Sequence, residues 1–497
     1  MNKVRENLFK RYTAKDYLLL AEIILSGGIL RLISLGKYSF WPDELASFQR
    51  AHLPLPALIR ELKGNQPLYE TFMHFWVKLG SSDAFFRLPS AIFGILALYF
   101  LFLLSREIFS KKVSFTAVIL FAFSPLHVLF SRIGRVYSLL TLLVILSLYF
   151  FYKWSRENNF SYGAGFILFT TLSLYAHFSA YLIFLAEFLW LIYRGIKEKF
   201  YLKDWLKNLW LFLAIFILVL PWLYYSAQAV ARFSSAPYYS SQAGKLLKLF
   251  FLPYSFLAGL TLNPFHLYVT IPVTIAGLYL FLLGLKNTKS FILFSFFLPF
   301  LGAWKIPAVS PKHVIYLLVP FYLFIARGIC RKGIKLRILV LALLLPGIIL
   351  SLCNYFQGRD FVDASMVTPW KKIAETIQKQ EKKGEIILIE SDIKFPYGMR
   401  IDLFRRYYKG SLPVKVLDYS WSPREIREIS QGFEKVWVLL YDESNPEKFR
   451  EFMVNNGSLL YFKGFQWETH TLKGLKEGWS NRNKYASFLY ELYLWKR

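Results

Sequence analysis

The sequence predicts an all-α polytopic membrane protein of about eleven transmembrane helices, followed by a small C-terminal α/β domain. Three observations predict it. Hydrophobic residues fill 55% of the 497 positions and charged residues only 19%, where a soluble chain carries about 25% charge. Apolar runs approaching the roughly 20 residues that span a bilayer recur through the first 356 positions. The basic excess, 60 Lys and Arg against 32 Asp and Glu, falls in alternate loops. The same figures exclude other classes. A disordered chain lacks 19% aromatics, and two cysteines make no disulfide scaffold. A nucleic-acid-binding protein is basic but not this apolar.

The apolar segments lie at 17–35, 84–106, 113–131, 136–154, 161–177, 178–194, 208–225, 266–285, 290–304, 313–329 and 336–353. Lys3, Arg5, Lys10, Arg11 and Lys15 set the N-terminus inside. Alternation then places inside Arg106/Lys111/Lys112, Lys153/Arg156, the Arg194–Lys207 cluster, Lys286/Lys289 and the Arg327–Arg337 cluster. Every such loop is basic, as cytoplasmic loops are. Outside fall the first loop 36–83, the turn 132–135, the turn at His177, the loops 226–265 and 305–312, and the tail. Cys330 and Cys353 end on opposite sides and cannot pair. The first segment is not a cleaved signal peptide, since Arg31 interrupts it and no small-residue cleavage site follows. The expected home is the cytoplasmic (inner) membrane.

The division falls between a transmembrane domain, 1–356, and an extracytoplasmic domain, 357–497. Beyond the last apolar segment the charge becomes mixed, about 24 basic and 19 acidic residues. Trp370–Lys379 reads as a helix with Ile373, Ala374 and Ile377 on one face. The runs at 385–390 and 435–441 read as buried strands. Ser422 and Pro423 are N-cap and first-turn residues of a second helix.

The polar residues at the outer ends are the informative ones. "FWPDELASFQR" (40–50) carries the adjacent carboxylates Asp43 and Glu44. Such a pair can take a proton or hold a cation; it also suits the first turn of a helix, where negative charge meets the dipole. "HVLFSRIGRVYSLL" (127–140) puts Arg132 and Arg135 outside, against the orientation bias. The planar fork of arginine suits phosphate, although arginines also snorkel to lipid headgroups. His177, Lys305, Lys312 and His313 have the alternative of anchoring the interface. Coincidence of side favours chemistry: Asp43, Glu44, Arg132, Arg135, His177, Lys312 and His313 come from four loops and share one face. Cations beside carboxylates there describe a seat for a lipid-linked phosphate with a base nearby.

At these residues the chain resembles the bacterial glycosyltransferase family 39 group, the protein O-mannosyltransferase-like membrane enzymes of GT-C fold that include aminoarabinose transferases. The resemblance runs over about 38–330 and rests on Asp43–Glu44, "NQPLYETFMHFWVKLG" (65–80), "RLPSAIFG" (87–94), "SPLHVLFSRIGRVYSLL" (124–140), "LYAHFSAYL" (174–182) and "SPKHVIYLLVPFYLFIARGI" (310–329). It implies a sugar donor on a polyprenyl phosphate and inversion at the anomeric carbon. Asp43 would be the base, with Glu44 beside it. Arg132, Arg135, Tyr137 and Lys312 would contact the donor phosphate, and Gln66, His177 and His313 would line the cavity. Two departures stand out. Asn65 and Gln66 occupy the place of a lysine in aminoarabinose transferases, and Lys312 stands where an arginine is common.

The expected partners are the lipid-linked donor, membrane lipid, and a glycolipid, polysaccharide or protein acceptor, with no nucleic acid. No cofactor is expected. Related oligosaccharyltransferases use a divalent metal, but Asp43 and Glu44 alone offer few hard ligands. The competing class is a transporter or flippase of lipid-linked glycans. Transporters concentrate ionisable groups near the midplane; here only Glu22, Arg31 and Glu187 are notable within the segments.

Overall fold

The computed structural model describes residues 12–234, 242–306, 310–391, 399–418, 421–441, 458–466 and 488–496. The N-terminal cations Lys3, Arg5, Lys10 and Arg11 and part of the expected loop 305–312 lie outside the described residues. All eleven apolar segments are helical, but they are not all spans. Six helices are long and apolar enough to cross a membrane: Asp83–Ile108, Tyr137–Glu157, Leu202–Tyr225, Leu267–Leu285, Pro311–Cys330 and Ile334–Gln357. A seventh is the bent pair Lys111–Ala122 and Pro125–Ser131. Among the described residues up to seven segments pass on length and apolarity alone, fewer than the eleven expected. Phe160–Ala176 and Ser290–Lys305 are short. Ala14–Leu32 and Ala180–Lys197 carry more charge than a simple span, including Asp16, Glu22 and Arg31 in the first and Glu187, Arg194 and Lys197 in the second. The expected outer loop 226–265 is also largely helical, through Leu202–Ser234 and Gln242–Ala258.

The bend has a local cause. Pro125 disfavours helical backbone at Ser124, and its ring cannot continue the preceding hydrogen-bond ladder. Ser124 restarts the helix as N-cap, its hydroxyl accepting from the His127 amide at 3.3 Å. The two halves meet at 56°.

The chain forms two compact units. One comprises Met1–Leu35, Ser47–Leu260 and His266–Leu352; the other comprises Gly36–Ala46, Thr261–Phe265 and Cys353–Arg497. In the first, helices pack through small residues. A Cβ on Gly284 would lie 2.0 Å from the Phe324 carbonyl oxygen, and one on Gly328 would lie 2.2 Å from that of Leu280. Helix backbones approach that closely only over glycine.

The second unit is an α/β fold of five strands: β1 (Glu385–Ser391), β2 (Val414–Asp418), β3 (Lys435–Tyr441), β4 (Ser458–Gln466) and β5 (Phe488–Lys496). Their order is β2-β1-β3-β5-β4. β1 pairs in parallel with β2 and β3, and β5 runs antiparallel between β3 and β4. The helices Trp370–Gln378, Met399–Tyr407 and Pro423–Ile429 complete it. Both strands and both helices read from the sequence form, and Ser422 accepts from the Glu425 amide at 3.2 Å as N-cap. Three strands and the helix at 399 are additional. Ile386, Leu388, Val436, Val438, Tyr493 and Trp495 fill the core on one face.

The segment Gly36–Ala46 is folded into this second unit. Lys37 donates to the Phe356 carbonyl at 2.6 Å and the Tyr38 hydroxyl to that of Tyr355 at 2.7 Å. The Phe40 amide donates to the Tyr407 hydroxyl at 2.7 Å, and the Arg406 guanidinium stacks 4.1 Å over the Phe40 ring. Lys371 donates to the Gly36 carbonyl at 2.6 Å.

Candidate active site

Asp43 and Glu44 occupy the first turn of the helix Pro42–Ala51. That position is the dipole-favoured one. Glu44 is buried, its carboxylate facing back to the Trp41 amide at 3.4 Å; Asp43 is half-buried. The pair belongs to the second unit, and the other candidate residues belong to the first. Among the described residues no three His, Cys, Asp or Glu side chains converge on a metal-sized site.

In the first unit a cluster forms that the sequence did not reveal. Ser47 and Arg50 lie on Pro42–Ala51, and Glu70 on Leu68–Trp76. Glu70 Oε1 accepts from the Ser47 hydroxyl at 2.7 Å, from Arg50 Nη2 at 2.9 Å and from Arg135 Nη1 at 3.4 Å. Arg135 also donates to the Ser47 hydroxyl. The backbone of Arg135 is fixed too: its carbonyl accepts from the Ser90 hydroxyl at 3.0 Å, and Ser90 lies 3.1 Å from the Tyr69 hydroxyl. Burial alone would raise the Glu70 carboxyl. The Arg50 and Arg135 charges, with hydrogen bonds from Arg50 and Ser47, outweigh it and hold the group below the ordinary glutamate value.

Beside this cluster lie the other sequence-derived residues. The Arg135 guanidinium sits 6.0 Å from the Tyr137 ring centre. Tyr137 lies 6.3 Å from both the His177 and the His313 rings, which stack on each other at 5.4 Å. Arg135 and Lys312 are the cations whose charge reaches the buried His177 imidazole. Ser179 fastens the two turns together: it lies 2.8 Å from His177 Nδ1, donates to the His313 carbonyl, and accepts from Tyr316 at 2.8 Å. Gln66 is half-buried in the residues leading into Leu68–Trp76.

Arg132 is built differently. It is 3% exposed and donates to the Leu30 carbonyl at 2.8 Å and the Ser34 carbonyl at 3.2 Å. These carbonyls lie at the C-terminal end of Ala14–Leu32. Arg31 answers from that helix: fully buried, it donates to the Ala122 carbonyl at 3.0 Å at the end of Lys111–Ala122, and lies 2.8 Å from His127 Nδ1. Arg132 caps the helix that carries Arg31, and Arg31 caps Lys111–Ala122, the first half of the bent pair that Arg132 follows. Gly94 makes room for them, since a Cβ there would lie 2.2 Å from Ser131 Oγ and 3.2 Å from Arg31 Nε. Arg132 thus reaches carbonyls at a helix end.

Comparison with solved structures gives the fold. The chain is similar to ArnT from Cupriavidus metallidurans in the apo state, with TM-score 0.55 and 10% identity, covering 96% of this chain and 97% of that one. ArnT bound to undecaprenyl phosphate gives TM-score 0.53 and 10% identity, over 97% and 98%. The Archaeoglobus fulgidus oligosaccharyltransferase AglB, in complex with an inhibitory peptide and a dolichol-phosphate, gives 0.50 and 11%, over 90% and 71%. No curated protein matches the chain in sequence. The chain therefore shares the fold of these proteins, with helices long and apolar enough to cross a membrane. Residues 65–225 match the dolichyl-phosphate-mannose-protein mannosyltransferase family, a stretch that holds Glu70, Arg135 and His177.

Proposed function

We propose that the protein transfers a sugar from a polyprenyl-phosphate-linked donor to a lipid, glycan or protein acceptor at the outer face of the cytoplasmic membrane, with inversion. The observation that carries this reading is the packing of Arg135, Tyr137, His177 and His313, the neighbour of Lys312, in one cluster. Cations held in place before the reaction stabilise a departing phosphate without reorganising. The undecaprenyl phosphate on ArnT and the dolichol-phosphate on AglB support the donor class.

In the proposed reaction an acceptor oxygen bonds to the anomeric carbon as the bond from that carbon to the phosphate oxygen breaks. The electron pair leaves on the phosphate, facing Arg135 and Lys312. A hydroxyl acceptor gives its proton to Asp43, a role assigned on the family resemblance. The half-buried first-turn position suits a carboxylate that must be ionised to accept a proton.

The test is sugar transfer from polyprenyl-phosphate donors in reconstituted membranes. Asp43→Asn should lower the rate at least about 100-fold, the lower range for a lost general base. Arg135→Ala should lower it about 100-fold, as when one preorganised oxyanion partner is removed. Full activity in Asp43→Asn would sink the base assignment. Movement of intact lipid-linked sugar without transfer would replace the enzyme by a flippase. A reporter fused after residue 360 should read as external; a cytoplasmic signal would overturn the orientation.

A further inference from the structure

We infer that Glu70 is a positioning residue that holds Arg135 and Arg50 together as a two-arginine seat for the donor phosphate. The inference rests on the reading of Arg135 as a phosphate ligand and adds Arg50 to it. Two guanidinium groups within reach of one oxygen repel each other unless an anion lies between them. Here the anion is a single carboxylate oxygen, 2.9 Å from Arg50 Nη2 and 3.4 Å from Arg135 Nη1. The Ser47 hydroxyl closes the arrangement by donating to Glu70 and accepting from both arginines.

Exposure separates the parts. The Glu70 side chain is 9% exposed, while Arg50 and Arg135 keep 25% and 18%. The carboxylate is thus at the back and the cations toward the opening. Each arginine gives one terminal nitrogen to this centre. That differs from a bidentate salt bridge, in which one carboxylate takes up a whole fork. Glu70 Oε2 is buried and has no hydrogen-bond partner among the described residues. A purely structural ion pair would be expected to satisfy that oxygen; here the carboxylate is placed for its charge on the two arginines. Lys312 brings a third cation near, through its reach to His177 beside Arg135.

Glu70 touches no donor atom in this scheme; it acts through Arg50 and Arg135. The test uses the full chain in lipid nanodiscs, with undecaprenyl phosphate as probe and undecaprenol, the same tail without phosphate, as control. Glu70→Gln keeps the shape and removes the charge. It should weaken undecaprenyl phosphate about tenfold, the scale of one charge-assisted contact, and leave undecaprenol unchanged. In an Arg135→Ala background it should add less than it does alone, the remainder acting through Arg50, because coupled residues are not additive. If Arg135→Ala weakens the phosphate probe and Glu70→Gln does not, the inference is overturned and the phosphate reading stands. If Arg135→Ala has no effect, the phosphate reading fails and the inference with it. Should Glu70→Gln lose both probes through misfolding, Ser47→Ala decides, since it keeps every charge. It should weaken only undecaprenyl phosphate, by about threefold for one neutral hydrogen bond; equal affinity for that probe would overturn the inference.

Discussion

Two arginine clusters three residues apart in sequence are built on opposite principles. Arg132, with Arg31, is buried among helix ends and bonds to main-chain carbonyls. Arg135, with Arg50, bonds to a carboxylate and a hydroxyl and keeps part of its surface. A carbonyl at a helix C-terminus has no other partner within the helix. An arginine given to it acts as a structural cap. An arginine held by a carboxylate keeps its charge beside an anion. The same residue type, three positions along, meets main-chain carbonyls in one case and a carboxylate in the other.

The largest effect should come from the scaffold side. Arg31→Ala strands the Ala122 carbonyl, removes the partner of His127 Nδ1 and opens a cavity beside Gly94. It should lower stability by about 3 kcal/mol, at about 1–3 kcal/mol for each buried group left unsatisfied, seen as a lower melting temperature in detergent. A melting temperature equal to the parent's would break the comparison. Next comes Arg132→Ala, expected to lower stability by about 2 kcal/mol on the same grounds, with undecaprenyl phosphate affinity of the folded fraction within about threefold. A large selective loss of that affinity would return Arg132 to the phosphate site. The smallest effect is one of pH. Glu70 is depressed in the folded protein from its ordinary 4.5. Its contribution is therefore complete above about pH 4.5 and is lost as pH falls through the folded value. The parent should lose melting temperature on acidification toward about pH 3 more steeply than Glu70→Gln; parallel curves would remove the Glu70 charge from the account.

Much of this was legible in order along the chain. Segment hydropathy located all eleven helices, because length and apolarity are properties of consecutive residues. It could not separate full spans from shorter ones, since Ala14–Leu32 and Ala180–Lys197 bury Arg31 and Glu187 against partners that lie elsewhere in sequence. The candidates Arg135, His177, Lys312 and His313 were found by placing polar residues on a topology drawn from charge, and Tyr137 by the family resemblance; the fold gathers them in one unit. Glu70 gave no such signal. It sits in "QPLYETF" as one acid among apolar residues, and nothing local shows that Ser47, Arg50 and Arg135 will converge on it.

By itself, the sequence determined that this chain is a membrane protein with a mixed-charge α/β tail, and which loops carry the cations, because bilayer thickness and charge bias act on local composition. Only the tertiary structure decided what each cation does. That depends on which acceptor lies opposite across the fold: main-chain carbonyls for Arg31 and Arg132, the carboxylate of Glu70 for Arg50 and Arg135. It also folded the segment bearing Asp43 onto Tyr407, Arg406 and Lys371, more than 300 positions away. An arginine carries the same charge in either setting, and the partner that the fold supplies decides whether that charge is used up in holding helices or left for a phosphate.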